Sequence, residues 1–152
     1  MMTLHNDAIC ADKLYHGSPV HGLKLIEPRQ ASDADGVAFN VDRAVFATHH
    51  KAFATIFGLV DLAVLPRGEN ANTWSVGMRQ THAGLVVTAR IPSLWRAHIE
   101  TSAKGCLYLV PKQMFDQTDG LQWKSKKAVV PDDAQVVTLA DYIAAGGEVE
   151  WT

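Results

Sequence analysis

Many short apolar or alternating runs, only two convincing helical stretches, and no regular strand–helix alternation predict an α+β fold. The expected arrangement is two packed, mostly antiparallel sheets with short flanking helices; a doubly wound parallel sheet would need the missing alternation. At 152 residues the chain is one domain's worth of sequence and long enough to bury a core without staples. Residues 1–12 read as an N-terminal arm and 13–152 as a single domain.

Taken in order, "KLYH" (13–16) alternates polar and apolar residues and reads as a strand. "GSPVHG" after it is turn chemistry. "LKLIEP" (23–28) is a second extended piece closed by Pro28, and "RQASDADG" (29–36) is a polar loop. "RAVFAT" (43–48) is a short buried strand running into "HHKAFATIFGLV" (49–60). There Ala52, Phe53, Ile56, Phe57 and Val60 recur at helical spacing, with Thr48 in position to cap the first free N–H groups.

"LAVL" (62–65) reads as a short strand and "PRGENANT" (66–73) as a loop. "GLVVTARI" (84–91), rich in β-branched residues, is the clearest strand. "PSLWRAHIE" (92–100) is a short helix or a bent connection, and "CLYLV" (106–110) is a buried strand. "PKQMF" fits one helical turn started by Pro111, and "DQTDG" (116–120) a turn. "LQWKSKKAVVP" (121–131) holds one or two strand pieces and "QVVTL" (135–139) another. "LADYIAAGG" (139–147) is a helix stopped at glycine.

Composition narrows the function classes. A formal charge of −2 with scattered Lys and Arg leaves no basic stripe of the kind that tracks phosphate backbones, so no nucleic-acid partner is signalled. The two cysteines, Cys10 and Cys106, form no CxxC pair, which argues against a redox motif or zinc knuckle and fits a reducing cytoplasmic setting. The N-terminus lacks the apolar core of a signal peptide, and no window reaches the roughly 18 apolar residues of a membrane span.

Seven histidines are present, but no HExxH or HxH spacing. On a helix start, His49 and His50 would point roughly 100° apart and could not share one ion, so no metal is expected. No G-x-S-x-G elbow signals a serine hydrolase.

Three stretches remain that carry chemistry: "LYHGS", "AVFATHHKAFATIFG" and "WKSKKAVVP". In order and character they resemble the motifs of the ADP-ribosyltransferase-like superfamily over roughly residues 13 to 138. In that family a strand ending in His is followed by Gly and a hydroxyl residue. A second strand with an aromatic pattern runs into a helix, and a third begins with a catalytic acid.

The resemblance implies NAD as substrate, with no metal, and ADP-ribosyl transfer or NAD cleavage as the reaction, a glycosyl transfer. It gives His16 the adenosine-side ribose, Gly17 the nicotinamide amide through its backbone, and Ser18 a supporting role. Val45 stands where a stacking tyrosine is common, with Phe46 on the opposite face of the strand. Thr48 and His50 belong to the junction walling the same cleft.

Lys126 and Lys127 stand where the family has its acid, and a lysine offers donors only. Three readings follow: an NAD-dependent ADP-ribosyltransferase-like enzyme; a catalytically degenerate pseudoenzyme acting as a binding or interaction module; or a phosphate-binding variant like the RNA 2′-phosphotransferases, with Lys126 or Lys127 on the phosphate. Glu69, Glu100, Asp116 and Asp119 are loop or element-end acids, none of them ranked by the sequence. Phe53, Ile56 and Phe57 read as core, as do Trp74, Trp95 and Trp123, and Tyr108 fills a core or hydrogen-bonds at a sheet edge.

Overall fold

The structure is a computed structural model, and it describes residues 12–30, 43–66, 74–118 and 121–152. The architecture is α+β, with three small sheets where two were expected. The elements are β1 (Lys13–Ser18), β2 (Arg29–Gln30), β3 (Arg43–Ala47), α1 (Lys51–Leu59), β4 (Ser75–Thr81), β5 (Gly84–Ile91), α2 (Arg96–Thr101), β6 (Gly105–Pro111), β7 (Asp116–Gln117), β8 (Trp123–Ser125), β9 (Asp133–Val137), α3 (Leu139–Ala144) and β10 (Gly147–Trp151). Single 3₁₀ turns at Ser93–Trp95 and Lys112–Met114 join their neighbours.

One sheet has the order β1-β6-β9, a second β10-β5-β4 and a third β2-β3-β8-β7. All pairings are antiparallel except β10 with β5. An isolated antiparallel bridge, Tyr15 to Thr48, ties the first sheet to the third.

Several expectations give way for physical reasons. Residues 62–65 form a turn, because the Asp61 carbonyl accepts from the N–H groups of Val64 and Leu65 and its carboxylate accepts from Ala63 N–H. The stretch 23–28 is no strand; its one strand-type contact among the described residues is where Ile26 and Val129 exchange backbone bonds. Arg29–Gln30, read as loop, pairs with β3. Asp116–Gln117, read as turn, pairs with β8. The residue capping α1 is His50, not Thr48: Thr48 Oγ1 accepts from His50 N–H at 3.1 Å, one step before the helix.

Two strands are not marked by the sequence pattern. β4 alternates weakly and is exposed on one edge, with only Val76 and Met78 packing inward. β10 follows the glycine stop of α3 directly, through Gly146 at φ +97°. The arm, apart from Asp12, and residues 31–36, 67–73 and 119–120 lie outside the described residues.

Helix α1 is the centre of the molecule. Its Ala52, Ile56 and Leu59 enter a core shared with Ile91, Trp95, Ile99 and Tyr142. Ile56 is fully buried, worth about 1.5–3 kcal/mol for such a side chain. Its opposite face lies on the first sheet, where Ala54 meets Leu107 and Val137. A second core gathers Leu14, Ile26, Val45, Tyr108, Val110 and Val129 between the first and third sheets.

The close approach of α1 to the first sheet is made by glycines. A Cβ on Gly17 would stand 1.8 Å from the Ala54 carbonyl oxygen, and one on Gly105 would stand 2.4 Å from that of Gly58. Backbone on backbone leaves no room for any side chain at either strand position.

Candidate functional site

The cavity of interest opens where β1 and β3 part. Tyr15 and Thr48 exchange both backbone hydrogen bonds, at 2.7 and 2.9 Å. Antiparallel ladders alternate, so a continued ladder would next pair Gly17 with Phe46. The bridge is isolated, however, and the strands diverge beyond it.

Two consequences follow. First, the Phe46 carbonyl accepts a hydrogen bond from His16 Nδ1 at 2.6 Å, a side chain standing in for the lost ladder partner. A carbonyl only accepts, so Nδ1 carries the proton, and Nε2 is the acceptor atom of the neutral ring. Second, the N–H and C=O of Gly17 lie on the β3-facing edge of β1 and meet no hydrogen-bond partner among the described residues.

The divergence opens a cavity of about 530 Å³, within the range of about 300–1,000 Å³ usual for small-molecule sites. His16, Gly17, Ser18, Val45, Phe46 and Thr48 all border it. His50 and Lys127 do not.

Roles within this set differ. Val45 is 1 % exposed and its side chain belongs to the second core, so its contribution to the wall is slight. Phe46, on the other face of β3, is half-buried. The Ser18 hydroxyl accepts from Val20 N–H at 3.0 Å, forming the turn after β1. Gly17 serves packing on the helix side and presents bare peptide on the other.

The turn after β1 is held from below by Tyr108. Its hydroxyl donates to the Val20 carbonyl at 2.6 Å and accepts from Leu23 N–H at 3.0 Å. Burial raises its pKa above the usual phenol value.

Sequence reasoning missed two features of the wall. Phe53 and Phe57, read there as core, border the cavity; their rings meet edge to face at 5.3 Å, and Phe57 is 39 % exposed. Their helical spacing was visible, but only the packing of Gly17 on α1 decides which flank of the helix looks into the gap. Glu27 and Asp61 also border the cavity, whereas Glu100 and Asp116, two of the four acids singled out from the sequence, do not. Glu100 instead pairs with Arg96, while Glu69 and Asp119 are outside the described residues.

Lys127 sits on the surface, its N–H donating to Ser125 Oγ and its carbonyl accepting from the same hydroxyl. The His49 and His50 rings stack with centroids 5.0 Å apart, not splayed, because His50 is extended and precedes the helix. Trp123 takes Lys112 Nζ over its ring at 4.9 Å and does not border the cavity. Among the described residues no group of three or more His, Cys, Asp or Glu could hold a metal ion, and no helix is long and apolar enough to cross a membrane. No family model, no curated protein and no solved structure matches this chain.

Proposed function

We propose that the cavity between β1 and β3 binds the nicotinamide end of NAD, and that the protein cleaves NAD, passing ADP-ribose to an acceptor or to water. The observation carrying this reading is the unpaired peptide edge of Gly17. A carboxamide offers one N–H donor and one carbonyl acceptor side by side, the complement of one residue's C=O and N–H on a strand edge. The aromatic wall of Phe46, Phe53 and Phe57 supplies the apolar faces a flat ring needs.

In the reaction, the bond between ribose C1′ and the pyridinium nitrogen breaks, and its electron pair neutralises the ring. An acceptor oxygen then bonds to C1′ and releases its proton to solvent. Positive charge develops on the ribosyl carbon and ring oxygen as the bond lengthens, and a carboxylate fixed nearby stabilises it.

Lys126 and Lys127, just past β8, stand where the resemblance wants an acid, and Glu27 is the carboxylate beside that stretch. Ile26 is bonded to Val129, so Glu27 leaves the chain one residue past the point where this segment touches the "KKAVVP" stretch. We assign Glu27 the role of charge stabiliser. The phosphate-binding alternative calls on Lys126 or Lys127, neither of which borders the cavity.

Nicotinamide release from NAD, followed by chromatography, tests the reading. The wild-type protein releases nicotinamide, and Glu27→Gln slows release about 10²-fold while still binding NAD. Binding without release from the wild type makes the protein a nucleotide-binding module. If NAD leaves the melting temperature unmoved and calorimetry detects no binding, the nucleotide reading is wrong.

A further inference from the structure

We infer that the cavity selects a ring bearing positive charge, an N-alkylated or N-ribosylated pyridinium, over a neutral ring of the same shape. The inference rests on the nicotinamide reading above and adds to it the charge of the ring accepted.

The carboxylates of Glu27 and Asp61 border the cavity, and no lysine or arginine does among the described residues. They are not equally committed to the fold. Asp61 Oδ1 accepts from Ala63 N–H at 3.0 Å and so helps build the turn after α1. Glu27 has neither a hydrogen bond nor an ion pair among the described residues.

The aromatic rings lining the cavity reinforce the same sign. Phe46 and Phe57 border the cavity, and the quadrupole of an aromatic face attracts a cation more strongly than a neutral ring of the same shape. Glu27 is exposed and Asp61 half-buried, and each carboxylate attracts a cation brought beside it, most strongly at low salt. A pyridinium entering between these groups is therefore drawn by both, while neutral nicotinamide keeps only stacking and the Gly17 peptide contacts. One consequence concerns turnover: bond cleavage converts the favoured cation into the weakly held neutral base, which then leaves.

Two probes of nearly one shape separate charge from shape: 1-methylnicotinamide, a cation, and nicotinamide, which is neutral. Calorimetric titration of the wild-type protein at low salt is expected to show the cation binding about tenfold more tightly, a difference of about 1.4 kcal/mol. In Glu27→Gln that ratio is expected to shrink to about threefold or less, about 0.65 kcal/mol on the same scale. Equal affinities in the wild type overturn charge selection and leave the nicotinamide reading standing. Failure of both probes to bind overturns both. A ratio unchanged in Glu27→Gln and in Asp61→Asn overturns the carboxylates as its source.

Discussion

Replacing Gly17 by alanine separates packing from ligand chemistry at the residue that joins them. The new methyl would stand 1.8 Å from the Ala54 carbonyl oxygen and 2.8 Å from its carbon, where side-chain carbons in proteins keep beyond about 3.0 Å. Relief needs more than about 1 Å of movement between β1 and α1, on the same scale. The obstructing atom is helix backbone, so no rotamer change provides it. Overpacking typically costs about 1–3 kcal/mol, and an encounter with backbone belongs at the upper end, about 3 kcal/mol. For a domain of this size that lowers the melting temperature by about 6–12 °C.

Differential scanning calorimetry measures the shift, with Gly77→Ala on the open face of β4 as the control. A Cβ there meets nothing within 4 Å, and removing a glycine from the unfolded chain's freedom leaves that variant neutral or slightly more stable. If Gly17→Ala melts within about 2 °C of wild type, the close approach of α1 to β1 is wrong, and the cavity geometry with it.

Two further outcomes concern the buried tyrosines. Tyr108→Phe removes the hydroxyl that bonds the Val20 carbonyl and the Leu23 N–H, leaving both without that partner; a loss of about 1–3 kcal/mol in urea denaturation and faster amide exchange at Leu23 are expected. Unchanged exchange there would show that the turn after β1 does not depend on Tyr108. Burial pushes the Tyr142 pKa up to about 12, while its hydroxyl donates to the Glu148 carbonyl at 2.7 Å. A phenol raised in the folded state contributes stability that is whole below the unfolded value near 10 and is lost as pH rises toward 12. Melting temperatures should therefore fall between about pH 10 and 12 in wild type, and fall less steeply in Tyr142→Phe; parallel curves would refute the assignment.

The sequence was informative where local pattern and tertiary packing ask for the same residues. β5, "GLVVTARI", is central in its sheet and buries Val87, Ala89 and Ile91 on one face, so its β-branched pattern is marked. α1 showed its period because its buried flank meets a full core at Ile56 and Leu59. β4 and β10 are edges, pressed against the molecule on one face only; β4 loses its alternation at Arg79 and Gln80, and β10 alternates over five residues only, Gly147 to Trp151. Arg29–Gln30 and Asp116–Gln117 are strands only by virtue of the partner beside them.

For the site, the local content of "LYHGS" was legible: a strand, a turn, a glycine that tolerates close approach. That His16 would bond the Phe46 carbonyl across a gap, and that the gap would be walled by Phe53 and Phe57 and edged by Glu27 and Asp61, was not. Amino-acid pattern reports what each segment must bury, since burial is scored residue by residue along the chain. Where two strands part, and which side chains then share the space between them, depends on contacts between segments tens of residues apart, and one-dimensional pattern does not encode them.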